Sequence, residues 1–245
     1  QYLVDRAKSV EFAYVQAYQS CSLRIFRHKK FKDIRIYRLE IRLYSRRAAH
    51  SVDCAKVRSE FIEMSTFVRL NLGCGDKILD GYINVDIVDE RAGNKPDINC
   101  DVRQLTVFED NYADEILAVH VVEHFWRWEV QAIIQEWMRV LKPGGKMILE
   151  CPNLISACQE VLKDPDKATL PGQEGQRSMW VLYGDPRWQD PLMVHRWAYT
   201  PRSLGLVMHQ AGLTDLKQEP AQFKLREPRD MRITGIKAGA TPVEP

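Results

Sequence analysis

The first 72 residues contain no glycine, and no proline occurs before Pro96. All 13 glycines and all 12 prolines therefore follow in the rest of the chain. Because glycine and proline break helices and supply tight turns, a long stretch without them favours helix over a meander of short strands. Long apolar runs are also missing, so no membrane-spanning helix is expected.

Cysteines are few and show no metal-binding pattern. The six cysteines stand at positions 21, 54, 74, 100, 151 and 158, without a C-x-x-C pair and without a histidine at zinc-finger spacing. Scattered cysteines in a chain of 245 residues are typical of reduced thiols. We therefore expect a cytoplasmic protein, and no spacing in the sequence argues for a metal site.

Positive charge is concentrated at the start of the chain. Residues 1–66 hold 14 Lys or Arg and 7 Asp or Glu, whereas the remaining residues hold 21 and 26. At helical spacing one basic stripe would be formed by Arg35, Arg38, Arg42 and Arg46. We predict that residues 1–66 form a mainly helical appendage, although alternation at Leu39, Ile41 and Leu43 leaves a strand as the alternative.

The opposite charges of the two parts indicate what this appendage contacts. They favour docking of residues 1–66 on an acidic face of the same chain or of a second copy, the latter giving self-association. Nucleic acid or an anionic membrane surface is a less favoured partner for the same arginines.

From residue 67 onward, strand-like and helix-like segments alternate. Short apolar runs begin at Phe67, Tyr82, Ile98, Glu115 and Lys146. Between the last two runs, a helix is predicted by one apolar face that comprises Val130, Ile133, Ile134, Trp137, Met138 and Leu141. Such alternation predicts an α/β fold, doubly wound around a mostly parallel sheet.

A glycine-rich turn follows the first predicted strand. Gly73 and Gly75 would let the backbone approach a ligand closely at the carboxyl edge of the sheet. Asp86 and Asp101 end the next two predicted strands. The carboxylate of Asp86 can accept hydrogen bonds from ribose hydroxyls, and that of Asp101 can accept one from an adenine amino group. A turn or cap role is the structural alternative for either aspartate.

The spacing around this turn excludes two common nucleotide sites. Ile78 stands where a dinucleotide motif needs its third glycine, Asp86 follows Gly75 by only 11 residues, and no P-loop motif is present. The segment 76–81 is also too short for a full helix whose N-terminus could bind a pyrophosphate. An adenosine ligand without phosphates fits better, and S-adenosylmethionine (SAM) is the candidate.

Four segments together resemble class I SAM-dependent methyltransferases, in particular the small branch often associated with polysaccharide and glycosyl-transfer enzymes. They are Leu70–Gly75, Asn84–Asp86, Val119–Phe125 and Trp137–Gly145. The resemblance covers roughly residues 67–240, so we predict a methyltransferase domain at residues 67–245, and it implies a seven-stranded Rossmann-like sheet with its last strand antiparallel. The short segment 76–81 departs from the full first helix usual in the family.

The resemblance also implies which residues bind SAM and its product, S-adenosylhomocysteine (SAH). The expected contacts are Asn71, Leu72, Gly73, Cys74, Gly75, Asp86, Ile87, Asp101, Val102 and His120. The methyl group would lie beneath the end of the fourth strand.

Two histidines are the candidate catalytic residues. His120 closes the fourth predicted strand, and histidine is the usual base for an alcohol acceptor, although a supporting structural role is an equal alternative. His195 lies in a loop that we expect over the acceptor side of the sheet, whereas His124 is expected to be structural. Aromatic residues that would form a wall there, or fill core, are Tyr183, Trp188 and Trp197.

We therefore expect an enzyme that transfers a methyl group from SAM to a hydroxyl of a small molecule or saccharide. A nucleic-acid methyltransferase is one alternative, prompted by the arginine stripe. The [ND]-P-P-[YFW] motif of amino-group DNA methylation does not follow the fourth predicted strand, however. A SAM-binding scaffold without activity is the other alternative.

Overall fold

The computed structural model describes residues 67–169, 176–223 and 230–239, together with the backbone of two short strands near the start of the chain. The chain divides into two compact units, Gln1–Ser65 and Thr66–Pro245.

In the first unit, the described residues form an antiparallel pair of strands. β1 (Arg24–Arg27) pairs with β2 (Tyr37–Glu40), and Arg24 lies opposite Glu40. At these residues the structure has strands instead of the predicted helix, and at Leu39 this is the alternative that the alternation had left open. The rest of residues 1–66 lies outside the described residues, so the mainly helical appendage and its partners stay predictions.

The second unit is built on a seven-stranded mixed sheet. In chain order its strands are β3 (Arg69–Leu72), β4 (Ile83–Asp86), β5 (Ile98–Asn99), β6 (Ala113–Val119), β7 (Leu141–Pro152), β8 (Leu213–Glu219) and β9 (Asp230–Lys237). The spatial order is β5-β4-β3-β6-β7-β9-β8, in which β9 is antiparallel to both neighbours and every other pair is parallel. The predicted doubly wound sheet with an antiparallel last strand is confirmed.

Helices connect these strands within the described segments. They are α1 (Val130–Val140), α2 (Leu154–Lys163), α3 (Pro165–Thr169), α4 (Arg177–Tyr183) and α5 (Pro201–Gln210), with 3-10 turns at Val122–His124 and Pro191–Met193. Thr200 caps α5 by accepting a hydrogen bond from Ser203 N, as a threonine before a first-turn proline predicts. None of the helices in the described segments is long and apolar enough to cross a membrane.

The core lies between α1 and the central strands. α1 buries one face that consists of Val130, Ile133, Ile134, Trp137 and Val140. Each fully buried aliphatic side chain of this kind contributes roughly 1.5–3 kcal/mol. The indole Nε1 of Trp137 donates to Val102 O at 2.7 Å, which fixes the loop after β5 to α1.

The sheet has one topological switch point, between β3 and β6. From β3 the chain continues to one side of the sheet, and from β6 it continues to the other. Ligands of open α/β sheets bind beyond the carboxyl ends of the strands at such a point. The residues that follow these two strand ends directly are Gly73 and His120.

Candidate active site

β3 ends in a turn that requires glycine. Gly73 and Gly75 have φ angles of +64° and +54°, in the left-handed region. A Cβ atom on Gly73 would lie only 2.6 Å from Val121 Cγ2. The backbone N–H groups of Gly73 and Cys74 both donate to Val85 O, at 2.8 and 3.1 Å. The turn therefore lies closely against the ends of β4 and β6.

Asp86, the last residue of β4, holds this turn in place. Its Oδ2 accepts a hydrogen bond from Gly75 N at 2.7 Å, and its Oδ1 accepts one from Val88 N at 3.1 Å. The residue is buried. Because each carboxylate oxygen has two lone pairs, Asp86 can shape the turn and still accept from a ribose hydroxyl.

Asp101 lies two residues beyond β5 and is bound to Arg103. Arg103 Nε lies 3.0 Å from both carboxylate oxygens, and Arg103 Nη2 lies 2.7 Å from Oδ2. These hydrogen bonds hold the pKa of Asp101 below its usual range, although partial burial opposes them. Asp101 would therefore accept a hydrogen bond from a cofactor amino group either in addition to those from Arg103 or after Arg103 has moved away.

The segment between β3 and β4 forms turns instead of a helix, as its length predicts. Asn71 Nδ2 donates to Lys77 O at 2.8 Å and to Asn84 Oδ1 at 2.9 Å. Asn84 Oδ1 also accepts from Leu79 N at 2.9 Å, and Asn84 Nδ2 donates to Asp97 Oδ2 at 2.9 Å. The hydrogen bonds of these amide groups hold the segment together where the family usually has a helix. The side chain of Asn71 therefore supports the turn.

The other residues expected around the cofactor differ in exposure. Leu72 is fully buried in β3, whereas Ile87 is 43% exposed beyond β4. Burial, followed by the nearby Asp86 carboxylate, raises the pKa of the Cys74 thiol to about 12. The thiol therefore stays protonated and can serve as a wall of a site but not as a nucleophile. Val102 is buried and accepts the Trp137 hydrogen bond described above.

His120 has a backbone conformation that is uncommon for a residue with a side chain. Its φ is +56°, and its N–H donates to Glu150 O at 2.8 Å. Ring atom Nδ1 lies 3.1 Å from Glu123 Oε1, and Nε2 lies 2.7 Å from Asp230 Oδ2. The ring is thus held between two buried carboxylates while 34% of the side chain remains exposed.

These ion pairs determine the protonation of His120. Burial lowers its pKa, but the hydrogen bonds to Asp230 and Glu123 outweigh burial and raise the pKa to about 10. Burial raises the pKa of Glu123, but the hydrogen bond to His120 brings it to about 2. At neutral pH His120 is an imidazolium, so it has no lone pair with which to accept a proton. The supporting alternative for His120 fits this geometry better than the role of a base.

His124 and His195 meet edge to face, with their ring centroids 4.8 Å apart. His124 Nδ1 lies 3.2 Å from Val194 O, and His195 Nδ1 lies 3.0 Å from Val181 O. Because a carbonyl oxygen only accepts, each Nδ1 carries a proton, and in the neutral form of each ring Nε2 holds the lone pair. Burial lowers the pKa of His124, and His195 lowers it further against the opposing effect of Glu123.

A cleft of about 210 Å³ lies beside these rings. It is lined by His120, His124, Pro152, Arg177, Trp180, Asp185, Arg187, Trp188, Met193 and His195. Of the three predicted aromatic residues, Trp188 lines this cleft, while Tyr183 and Trp197 are exposed elsewhere. The Trp180 ring also lines it and carries Arg187 at 4.9 Å from its centroid.

Arg91 connects the glycine turn with this cleft. Its guanidinium lies 5.4 Å from the centroid of the Trp188 ring and 3.2 Å from Asp190 Oδ2. Its Cδ would be 3.6 Å from a Cβ atom placed on Gly75. The predicted cofactor turn and the cleft are therefore neighbours.

Sequence reasoning missed several of these residues. Glu123 lies inside a segment that carries the family resemblance, so the motif marked the segment as functional. Nothing in the motif indicated that Glu123 forms an ion pair with His120. Trp180 lies in α4 next to the buried Val181, and an aromatic residue at such a position is equally typical of a core. Asp230 and Arg91 have no local pattern, because both act through contacts between residues far apart in the chain.

Residues 70–149 match the family model of the methyltransferase domain. No curated protein matches the chain. Among solved structures, a SAM-dependent methyltransferase from Archaeoglobus fulgidus is 18% identical with a TM-score of 0.48, covering 75% of this chain and 92% of that one. A Thermotoga maritima methyltransferase, described as a possible histamine N-methyltransferase, is 18% identical with a TM-score of 0.47, covering 69% and 82%. At these identities and scores, neither likeness indicates an acceptor for this chain.

The matched segment runs from β3 to β7 and includes the glycine turn, Asp86 and His120. Together with the sheet order, the match identifies a methyltransferase domain in this part of the chain. A methyltransferase domain is the catalytic part of an enzyme, and the cofactor expected for it is SAM, with SAH as the product.

Proposed function

We propose that this enzyme methylates a hydroxyl group of a small molecule or saccharide bound in the cleft of His195 and Trp188. The observation that carries the proposal is the lining of the cleft, where two imidazole rings that are each bound through Nδ1 lie with two indole rings. An imidazole lone pair suits the proton of a hydroxyl, and an indole face suits a sugar or planar ring.

The glycine turn and Asp86 fit the adenosine part of SAM. The left-handed turn at Gly73 and Gly75 packs against Val121 with no room for a Cβ atom on Gly73, and Asp86 ends the adjacent strand. Asp86 would accept from the ribose hydroxyls, and Asp101 would share its oxygens between Arg103 and the adenine amino group. Bound SAM supplies an activated methyl group, so the chain's own residues mainly orient the acceptor.

On the acceptor side, His195 would accept the proton of the hydroxyl at Nε2, because its Nδ1 is committed to Val181 O. Trp180 and Trp188 would hold the acceptor ring against this nitrogen. His120 would act as a positioning residue, since its charge holds the buried Glu123 and Asp230 carboxylates beside the cleft.

Transfer from labelled SAM to a panel of saccharides, small hydroxylated molecules, nucleic acids and lipids tests the proposal. We expect label in a hydroxylated small molecule or saccharide, and mass spectrometry with NMR should locate it on oxygen as a methyl ether. Label only in nucleic acid, or only on nitrogen or carbon, would overturn the proposal.

Two matched variants locate the acceptor site. Trp180→Ala should raise the KM for the acceptor with little change in SAM affinity, whereas Trp128→Ala removes an indole that lies outside the cleft and should change neither. His195→Ala should lower kcat about 10²-fold or more if the histidine takes the proton. Equal kinetics for the two tryptophan variants would argue against acceptor binding in this cleft.

A further inference from the structure

Glu123, His124 and His195 form a cluster, and the proposed methyl transfer gives a direct role only to His195. One potential ligand atom from each of the three lies within 4.8 Å of the others. Two imidazoles and one carboxylate are a donor set that divalent transition metals accept.

The hydrogen bonds of the two histidines leave the correct atoms free for a metal ion. Each Nδ1–H donates to a backbone carbonyl, Val194 O for His124 and Val181 O for His195. Histidines that bind metals almost always donate their second ring N–H to such a partner, which fixes the tautomer and the ring orientation. In the neutral rings, both Nε2 atoms are therefore the ones left to bind a metal ion.

Glu123 supplies a second and independent observation. It is 2% exposed, its Oε1 is bound to His120 Nδ1, and its Oε2 is buried without a hydrogen-bond partner among the described residues. A buried carboxylate oxygen without a partner is costly and calls for an unseen ion or water. A cation between the carboxylate and the two imidazoles would satisfy it.

The backbone around the cluster is already fixed. Arg196 N and Trp197 N donate to Glu123 O at 2.8 and 3.2 Å, and His195 N donates to Tyr183 O at 3.3 Å. Arg196 Nη1 also donates to His124 O. These bonds join the 3-10 turn after β6 to the loop before α5, so the three side chains are brought together without a metal.

We propose that Glu123, His124 and His195 bind one divalent transition-metal ion, with zinc as the representative, at the wall of the cleft. Ligand atoms of a tetrahedral zinc site lie about 2.0–2.2 Å from the ion. A spread of up to 4.8 Å between the potential ligand atoms therefore requires the side chains to close in slightly on binding.

An ion in this position would also bear on the methyl acceptor. Three protein ligands leave a coordination position for a hydroxyl oxygen from the cleft, and coordination lowers the pKa of that hydroxyl, with its proton passing to water. His195 would then act as a ligand instead of taking the proton itself. This role rests on the proposed function, whereas ion binding does not.

Zinc titration of the chelator-treated full chain tests the site without any methyl-transfer assay. We expect zinc to raise the thermal unfolding midpoint of the wild type and of His209→Gln, a matched change at an exposed histidine on α5. His124→Gln and His195→Gln should bind zinc at least about tenfold more weakly. Equal zinc affinity in the wild type and both of these variants would overturn the proposal.

A second measurement needs no variant, in case the substitutions prevent folding. Diethyl pyrocarbonate modifies unprotonated histidine nitrogens, and mass spectrometry reports each site. Zinc should slow the modification of His195 and leave that of His209 unchanged. If His195 is modified at the same rate with and without zinc, the ion does not bind there. Because both readouts concern binding, their failure would leave the proposed methyl transfer standing.

Discussion

Gly73→Ala should damage the cofactor turn for two separable reasons. An alanine at φ +64° carries the cost of a left-handed backbone, about 1–2 kcal/mol. Its Cβ would also lie 2.6 Å from Val121 Cγ2, and overpacking of this kind costs about 1–3 kcal/mol. We therefore expect a total loss of about 2–5 kcal/mol in unfolding free energy.

A second substitution separates these two costs. Val121→Ala removes the methyl groups that clash, so the double variant should lose about 1–3 kcal/mol less than the sum of the single variants. The backbone cost would remain. Gly81→Ala is the matched control, because Gly81 has φ +80° and nothing lies within 4 Å of an added Cβ. It should lose only the backbone cost and show no coupling to Val121.

Urea unfolding followed by circular dichroism measures these free energies, and calorimetry measures SAM affinity in the same variants. The double variant should recover part of the SAM affinity that Gly73→Ala loses. If the effects of Gly73→Ala and Val121→Ala simply add, within about 0.5 kcal/mol, the steric explanation of this glycine is refuted.

Three further results are expected. Arg232→Met leaves the buried Glu150 carboxylate without its cation, which lies 3.0 Å away, and should cost about 3–5 kcal/mol in urea unfolding, whereas the exposed Arg202→Met should cost almost nothing. Similar midpoints for the two would contradict this. Asp86→Ala should weaken SAM binding in calorimetry by about 1.5–3 kcal/mol, since a charge-assisted hydrogen bond is lost, and unchanged binding would remove Asp86 from the site. Burial raises the pKa of Asp114, but the ion pair with Lys142 and a backbone N–H bring it below its usual value. A group with a depressed folded pKa stabilises the protein above its unfolded pKa of about 3.9 and loses that contribution as pH falls further, so Asp114→Asn should reduce the acid sensitivity of the unfolding midpoint.

The parts of the fold that depend on local patterns could be predicted from the sequence. The apolar face of α1, the Thr200 cap and the strands before Gly73 and Asp86 are each encoded within a few residues. The absence of glycine and proline predicted a helix at the residues that form β1 and β2. Strands that are not joined by a tight turn need neither residue, so this absence does not exclude them.

Contacts between distant parts of the chain could not be predicted. His124 and His195 are 71 residues apart, and their rings are brought together by hydrogen bonds between the two segments, such as those to Glu123 O and Val194 O. The protonation of His120 depends on Asp230, which reaches it only because of the position of β9 in the sheet. The position of His120 at a strand end therefore suggested a catalytic base. Its two carboxylate partners, Glu123 and Asp230, instead favour the protonated ring.

The position of β9 also sets an order of assembly during synthesis. β9 is made after every other strand of the sheet, yet it lies between β7 and β8. Until the ribosome has released this segment, β7 and β8 have no common neighbour, and the imidazole of His120 has only one of its two carboxylates. The residue that completes the pair, Asp230, is the first residue of β9 and lies opposite Pro152 at the end of β7. Pairing of β9 therefore completes both the sheet and the second carboxylate contact of His120, and a nascent or truncated chain that lacks β9 has neither of these.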